Sequence, residues 1–513
     1  MTSQFGDLFL NDFLACMPEI FLILSTIGLL MVCVTLEKTN YPKSALVSQI
    51  NVWSLLVLTF TLGLVLNNPC TDQIFFFNTL ILDTSATFFK AFLLIGCIAC
   101  CAMSQDYLLK NGIFSYEYMI LILFSTSSMM LMISSYDMIS MYLTIEMQTL
   151  CFYVLACSKR NSEFSTEAGL KYFILGAFSS GILLFGISLI YGFSGITNFE
   201  DLRLLCSGEN LTQDWNENQV GTGVIIGMLF ITVGFLFKLT SAPFHMWAPD
   251  VYEGAPTPVT AFFSVGPKIA IFALFSRLFG FSGAFVANPN LFQASEKILI
   301  FSSICSMIIG AVFALSQQKI KRLLAYSSIG HVGYMMIGFI CASREGMESF
   351  LVYLIIYMVM TINVFAILLS LRSSSSSGNS SEAVQIRYLS DLSQLSKTHP
   401  VLALSFTLSL FSMAGIPPLA GFCGKFYVFF SALSGSLYIL ACLGVLTSAI
   451  SCFYYIRMIK IMYFEKLTGE TVIFDQIDNS KAIIITCSMF FLVFFIFYPG
   501  PLFLMAQKLV LSL

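Results

Sequence analysis

Residues 227–275 read GMLFITVGFLFKLTSAPFHMWAPDVYEGAPTPVTAFFSVGPKIAIFALF. Eleven uncharged residues lead up to Lys238, and Lys268 sits between Gly266-Pro267 and Ile269-Ala270-Ile271-Phe272. Two ammonium groups therefore lie inside apolar runs. On insertion scales a lysine at the centre of a membrane helix costs about 2.5–3.5 kcal/mol. Such groups mark sites by default, so the stretch asks what surrounds it and what its lysines pair with.

Composition answers the first question. The 513 residues are 57% hydrophobic and 10% charged, with 52 Phe, whereas soluble domains carry about 25% charged residues. Apolar runs of roughly 20 residues fall near 15–36, 46–66, 83–103, 113–133, 136–157, 169–193, 220–240, 258–279, 298–316, 323–342, 348–371, 400–432, 436–462 and 482–507. Sorting Lys and Arg by side checks the count. The odd-numbered connections carry fifteen, among them Lys159, Lys319, Lys321, Arg322, Arg387 and Lys481; the opposite side carries only Arg203, Arg277, Lys297, Arg344 and Lys508. The expectation is an all-α polytopic membrane protein of about 14 transmembrane helices, both termini on the non-cytoplasmic (or non-matrix) face. No basic residue precedes Lys38, so neither a signal peptide nor an Arg-rich transit peptide is expected.

Five basic residues remain inside spans: Lys90, Lys171, Lys238, Lys268 and Lys425. Lys171 follows a polar stretch and is expected to snorkel to the basic side. Lys90 follows Asp83 by seven residues on one helical face, which suggests an ion pair with it or interfacial snorkelling. Lys238, Lys268 and Lys425 lie deeper and are assigned a functional role. Their best acidic partner is Glu146 in SMYLTIEMQTLCFYVLA (140–156), uncharged otherwise from Asp137 to Lys159. Asp137, Glu117 and Glu19 lie nearer span ends and read as solvated. A Glu–Lys pair about 6 Å apart gains roughly 3 kcal/mol at an effective dielectric near 20. Burial disfavours a charged lysine and a nearby carboxylate favours it, so altering such a pair can make a lysine hold or release a proton.

Proline placement sharpens this. Lys238 precedes Ser241-Ala242-Pro243, and Lys425 follows AGIPPLAGFCG (414–424). Broken helices at membrane depth are tolerated where they line protein or water, and they commonly form ion sites. The breaks fall in spans seven and twelve, five apart, the offset of an inverted repeat. Glu146 in span five has His331 five spans on. The expected organisation is 1–110 for three N-terminal helices, 111–280 for a first five-helix repeat (helices 4–8), 281–465 for a second (helices 9–13) with a Ser-rich loop at 372–399, and 466–513 for helix 14.

Other chemistry is sparse. CIACC (Cys97, Cys100, Cys101) stands alone in an apolar span and reads as small core thiols rather than a metal site. The 15 cysteines form no disulfide framework, and no Walker A, dinucleotide or c-haem motif occurs. RSSSSSGNSSEAVQ (372–385) reads as a flexible linker. His245 and His399 lie at span ends, where a polar-network role and proton handling are both open.

KLTSAPFHMWAPDVYEGAPTPVTAFFS (238–264), PKIAIFALFSR (267–277), KRLLAYSSIGHVGYMMIG (321–338) and GIPPLAGFCGKFYVF (415–429) resemble the antiporter-like membrane subunits of respiratory complex I. PDVYEGAPTPVTAF is most similar to the subunit-2 branch of NADH–ubiquinone oxidoreductase. The resemblance runs from about residue 110 to 465; the first hundred residues and the Ser-rich linker match by hydropathy alone. It implies a proton relay of Glu146, Lys238, Lys268 and Lys425, with His331 and His245 as a secondary polar path, and no cofactor or metal held by this chain. NAD, FMN, Fe–S centres and ubiquinone would be bound by other subunits of a proton-translocating NADH:ubiquinone reductase. The implied partners are membrane-arm subunits, including sister antiporter-like ones, and phospholipids, without nucleic acid. The implied place is the mitochondrial inner membrane, with the bacterial inner membrane or thylakoid as alternatives. Three rival readings are a plastid photosynthetic NDH-complex subunit, a cation/proton antiporter subunit, and a non-conducting membrane scaffold.

Overall fold

In the computed structural model, residues 12–38, 42–70, 72–113, 115–207, 217–280, 289–374, 384–465, 473–474 and 478–512 are described. Inside a bilayer each backbone polar group must be satisfied within its own segment, and the apolar runs accordingly form helices. These are α1 (Met17–Lys38), α2 (Lys43–Leu66), α3 (Thr84–Lys110), α4 (Glu117–Ser134), α5 (Met138–Ala156) and α6 (Glu163–Ser194). There follow α7 (Glu217–Lys238), α8 (Trp247–Gly254), α9 (Thr257–Phe279), α10 (Pro289–Leu315), α11 (Ile320–Ile340) and α12 (Arg344–Ser370). The chain closes with α13 (Pro400–Ala414), α14 (Ala420–Ser434), α15 (Tyr438–Phe464), α16 (Asn479–Phe494) and α17 (Gly500–Ser512). Among the described residues twelve helices are long and apolar enough to cross a membrane. The seventh and twelfth crossings are interrupted, α7–α8 and α13–α14, so the fourteen apolar runs are all accounted for.

Start signals are local. Asp83 caps α3 by accepting from the Ala86 N–H at 2.8 Å, Asp137 caps α5 through Ile139, and Ser343 caps α12 through Gly346. The last run differs from expectation. It does not continue to residue 507 as one helix: α16 gives way to a 3-10 turn, Phe495–Phe497, before α17 begins at Gly500. Pro499 lacks an N–H and disfavours the α conformation of the residue before it, which divides the run.

Burial is graded. The apolar window of α9 is 100% buried, and those of α11 and α12 are 89% buried; these three helices form the centre. On α6, Leu170, Ile174, Phe178 and Phe185 recur at helical spacing on an exposed face, as a membrane-facing stripe requires.

The charges pair differently from the sequence expectation. Lys90 meets Glu19 of α1 at 2.5 Å, both buried, rather than Asp83. Asp83 instead binds Arg277 at 2.7 Å, and Arg277 also donates to the Ser135 carbonyl. Helical spacing places Asp83 and Lys90 on one face, but the first turn's orphan N–H groups and Arg277 claim the carboxylate. Glu19, taken from sequence as solvated, is the buried partner. Lys171 does reach polar surroundings, where it pairs with Glu167 and Asp250.

The opposite ends of these helices gather the residues that charge sorting grouped on one side. Asp250 of α8 bridges Lys171 of α6 and Arg322 of α11, while Glu253 binds Lys319 and Arg322. Lys481 bonds Asp106 and Asp478. Of the Ser-rich loop 372–399, residues 375–383 lie outside the described residues; Arg372–Ser374 pairs antiparallel with Val384–Gln385 and Ile473–Phe474.

Candidate functional site

The site begins where the two interrupted crossings break. α7 ends at Lys238, and its last carbonyls are capped from downstream. Trp247 Nε1 donates to the Phe237 carbonyl at 2.9 Å, and the Ser241 N–H and Oγ both reach the Leu236 carbonyl. These carbonyls are therefore satisfied without the Lys238 ammonium. α13 ends at Gly415, whose φ of +87° turns the chain away. Lys425, one turn into α14, reaches back and donates to the Met413 and Ala414 carbonyls at 2.9 and 3.0 Å. Both lysines thus sit at the carbonyl end of a half-helix, where four acceptors lack intrahelical partners.

Lys238 is 7% exposed, and its Nζ has no hydrogen-bond partner; nor has Glu146 Oε1, buried on α5. The carboxylate lies close enough for its charge to act on Lys238 but makes no ion pair with it. Glu146 and Lys238 are thus electrostatic neighbours without a direct contact. The physical reason is that the Lys238 side chain lines a cavity of about 20 Å³ shared with Gln148, Thr149, Thr240 and Lys268. A water needs about 10–15 Å³ and two to four polar partners, and this cavity offers both.

Beyond the cavity stands Lys268, 2% exposed on α9. Its Nζ donates to Tyr357 Oη of α12 at 2.8 Å and lies 4.9 Å from that ring's centre. A second cavity of about 10 Å³, lined by Tyr252, Ser264, Ser328, His331, Tyr357 and Thr361 among others, adjoins it. His331 on α11 contacts Tyr353 Oη through Nδ1 at 2.7 Å and Tyr455 Oη through Nε2 at 3.3 Å. The charges of both Lys268 and Lys425 act on it. Lys425, 5% exposed, closes the file with its ammonium 5.1 Å from the centre of the Tyr334 ring.

The fold therefore brings Glu146, Lys238, Lys268, His331 and Lys425 into one sequence of neighbours. His245 stands apart, half-buried in the α7–α8 break beside Pro243 and outside the lining of the first cavity. Sequence reading missed the tyrosines. Tyr353 and Tyr357, spaced i, i+4 on α12, share a face toward Lys268 and His331, and Tyr334 and Tyr455 complete the lining. Their signal was available: phenol groups deep in apolar runs need hydrogen-bond partners. Cys97, Cys100 and Cys101 are buried on α3 and line neither of these two cavities.

The fold and site are those of a polytopic membrane protein in which ammonium, phenol, imidazole and carboxylate groups lie at membrane depth between water-sized cavities, positions that mark functional sites by default. Residues 135–451 match the family described as NADH:quinone oxidoreductase/Mrp antiporter, TM. The chain belongs to that family. It is 50% identical over 511 residues to NADH-ubiquinone oxidoreductase chain 2 of Marchantia polymorpha, covering 99% of this chain and 100% of that one. NADH-quinone oxidoreductase subunit N of Rhodospirillum rubrum is 45% identical over 452 residues, 88% of each chain. Among solved structures, a chain of respiratory complex I from Thermus thermophilus superposes with a TM-score of 0.76 at 26% identity, covering 96% of this chain and 99% of that chain.

Proposed function

We propose that this chain is a proton-translocating membrane-arm subunit of an NADH:ubiquinone oxidoreductase, and that it works through the file Glu146–Lys238–Lys268–His331–Lys425. The observation that carries the reading is the continuity of that file. An unpartnered ammonium faces a water-sized cavity shared with a second ammonium, whose phenol partner lies beside an imidazole under the influence of two lysines. In this scheme the charge on Glu146 sets whether Lys238 holds its proton. Loss or gain of that proton alters the field at Lys268, across a water seated in the first cavity. Lys268 then exchanges with the Tyr357–His331 group, and Lys425 delivers the proton toward the opposite side. Quinone reduction elsewhere in the assembly supplies the drive by changing the state of Glu146.

The same reading treats residues 111–280 and 281–465 as inverted five-helix repeats, supported by a lysine at a half-helix carbonyl end in each. It places NAD, FMN, Fe–S centres and ubiquinone on other subunits, and sister antiporter-like subunits alongside. The membrane is the mitochondrial inner membrane, with both termini toward the intermembrane space; the strong likeness to a plant chain named for ubiquinone supports that choice. The test is Lys268→Met in the assembled complex, reconstituted in proteoliposomes. Protons moved per NADH oxidised should fall, and coupled turnover should drop by about tenfold or more. Unchanged proton stoichiometry in a fully assembled variant would falsify the relay.

A further inference from the structure

On the face where α6 and α11 begin and α8 ends, a cavity of about 140 Å³ opens among Lys159, Lys319, Lys321, Arg387 and Glu253. That is many times the ~10–15 Å³ one water requires. Four cations meet one carboxylate there, and the carboxylate is already engaged by Lys319 and Arg322. Lys321 is half-buried; its Nζ donates to the Ala255 carbonyl at 2.9 Å, and the charges of Arg387, Glu253 and Lys159 all act on it. No acidic side chain among the described residues pairs with Lys159, Lys321 or Arg387. Four like charges converging on a cavity that holds one carboxylate leave an excess of positive charge, which forms a site for an anion.

The rim identifies the anion's source. Phe164, 58% exposed, stands at the cavity on the first turn of α6, and the exposed apolar stripe Leu170, Ile174, Phe178 and Phe185 begins further along the same helix, past Glu167, whose charge Lys171 takes. A cationic cavity at one end of an apolar stripe fits an amphiphile, with its charged group at the membrane surface and its hydrocarbon along the protein. Arg387 offers the planar fork that grips two phosphate oxygens at once, and the lysines add point charges. We propose that this cavity binds the phosphate of an anionic phospholipid, with an acyl chain laid along α6. The assignment stands independently of the proton file, whose residues it does not share.

The test uses the protein in its native assembly, purified in detergent. Photoreactive phosphatidylglycerol, carrying its diazirine near the headgroup, is compared with the matching phosphatidylcholine, and labelled peptides are mapped. Label should fall on the peptides bearing Phe164 or Tyr388, several-fold more for the anionic lipid. Each cation removed, by Lys159→Gln or Arg387→Gln, should lower it about five-fold, while Arg387→Lys should retain most of it. Equal labelling by phosphatidylcholine overturns the proposal, as does labelling indifferent to both glutamine substitutions. Displacement by millimolar inorganic phosphate at constant ionic strength reassigns the cavity to a soluble phosphate and also overturns the lipid assignment. The headgroup comparison on the unsubstituted protein decides the matter even where a variant fails to assemble.

Discussion

The breaks in the seventh and twelfth crossings use the same parts differently. At the twelfth, Lys425 satisfies two carbonyls of the half-helix it faces, and a glycine makes the left-handed turn. At the seventh, Trp247 and Ser241 take the half-helix carbonyls, Lys238 is left without a partner, and the left-handed position is Thr240 at φ +64°. A β-branched residue there is a backbone outlier. Its hydroxyl, buried and without a partner, lines the cavity between the two lysines. The twelfth break is therefore satisfied and held, whereas the seventh carries an unsatisfied ammonium, a strained turn and room for water. Strain of this kind belongs where a site must change state.

The sharpest way to break that contrast is to remove each ammonium. Lys425→Met leaves two buried carbonyls without a donor, at about 1–3 kcal/mol each, so the complex should lose this subunit at markedly lower temperature or denaturant. Lys238→Met removes an unpaired charge and should leave assembly stability close to unchanged, although on the proposed relay both variants should stop translocation. Native-gel retention of the subunit against temperature reads the difference, and equal losses would erase the distinction between the breaks.

Next in size is the influence of Glu146. Glu146→Gln removes the carboxylate whose field reaches Lys238, an effect of order 1–3 kcal/mol at that range, so coupled turnover should fall by roughly five- to a hundredfold. Glu146→Asp should recover part of it. A variant with ordinary NADH:quinone turnover and proton yield would remove Glu146 from the file. An effect of similar size is expected between the two breaks: Tyr357→Phe deletes the oxygen that accepts from Lys268, worth about 1.5–3 kcal/mol for a bond to a charged group. Proton transfer should slow roughly ten- to a hundredfold, with assembly retained. Kinetics unaltered by this change would mean that Lys268 has another route.

The smallest effects probe the turns, with opposite signs. Gly415→Ala puts a Cβ into the left-handed region, 3.0 Å from Lys425 Cδ, and should destabilise by about 1–2 kcal/mol. Thr240→Gly relieves its own outlier and should stabilise by about 1 kcal/mol, while costing turnover through the lost hydroxyl. Thermal stability of the assembled complex checks the signs; two changes of the same sign would mean the turns are equivalent.

How far the sequence carried the account varies along the chain. Span number, the two interruptions and the depth of Lys238, Lys268 and Lys425 were legible because hydropathy and proline act over a single helix. So was the family, through PDVYEGAPTPVTAF and its companions. The pairing of charges was not. Glu19 looked solvated and Lys90 seemed matched to Asp83, because spacing along one helix says which groups share a face but not what the neighbouring helix presents. The tyrosines around His331 went unread for the same reason.

The sequence by itself determined that this protein lives in a membrane, where its helices break, and which ionisable residues lie at depth. Those properties follow from the cost of placing polar groups in hydrocarbon, which each segment meets or fails to meet alone. Tertiary structure alone decided that Arg277 takes Asp83, that Lys90 takes Glu19, that a cavity rather than a carboxylate faces Lys238, and that Tyr357 bridges Lys268 toward His331. Those contacts join residues up to 194 positions apart, and only packing, which brings distant side chains within hydrogen-bond range, can choose among them.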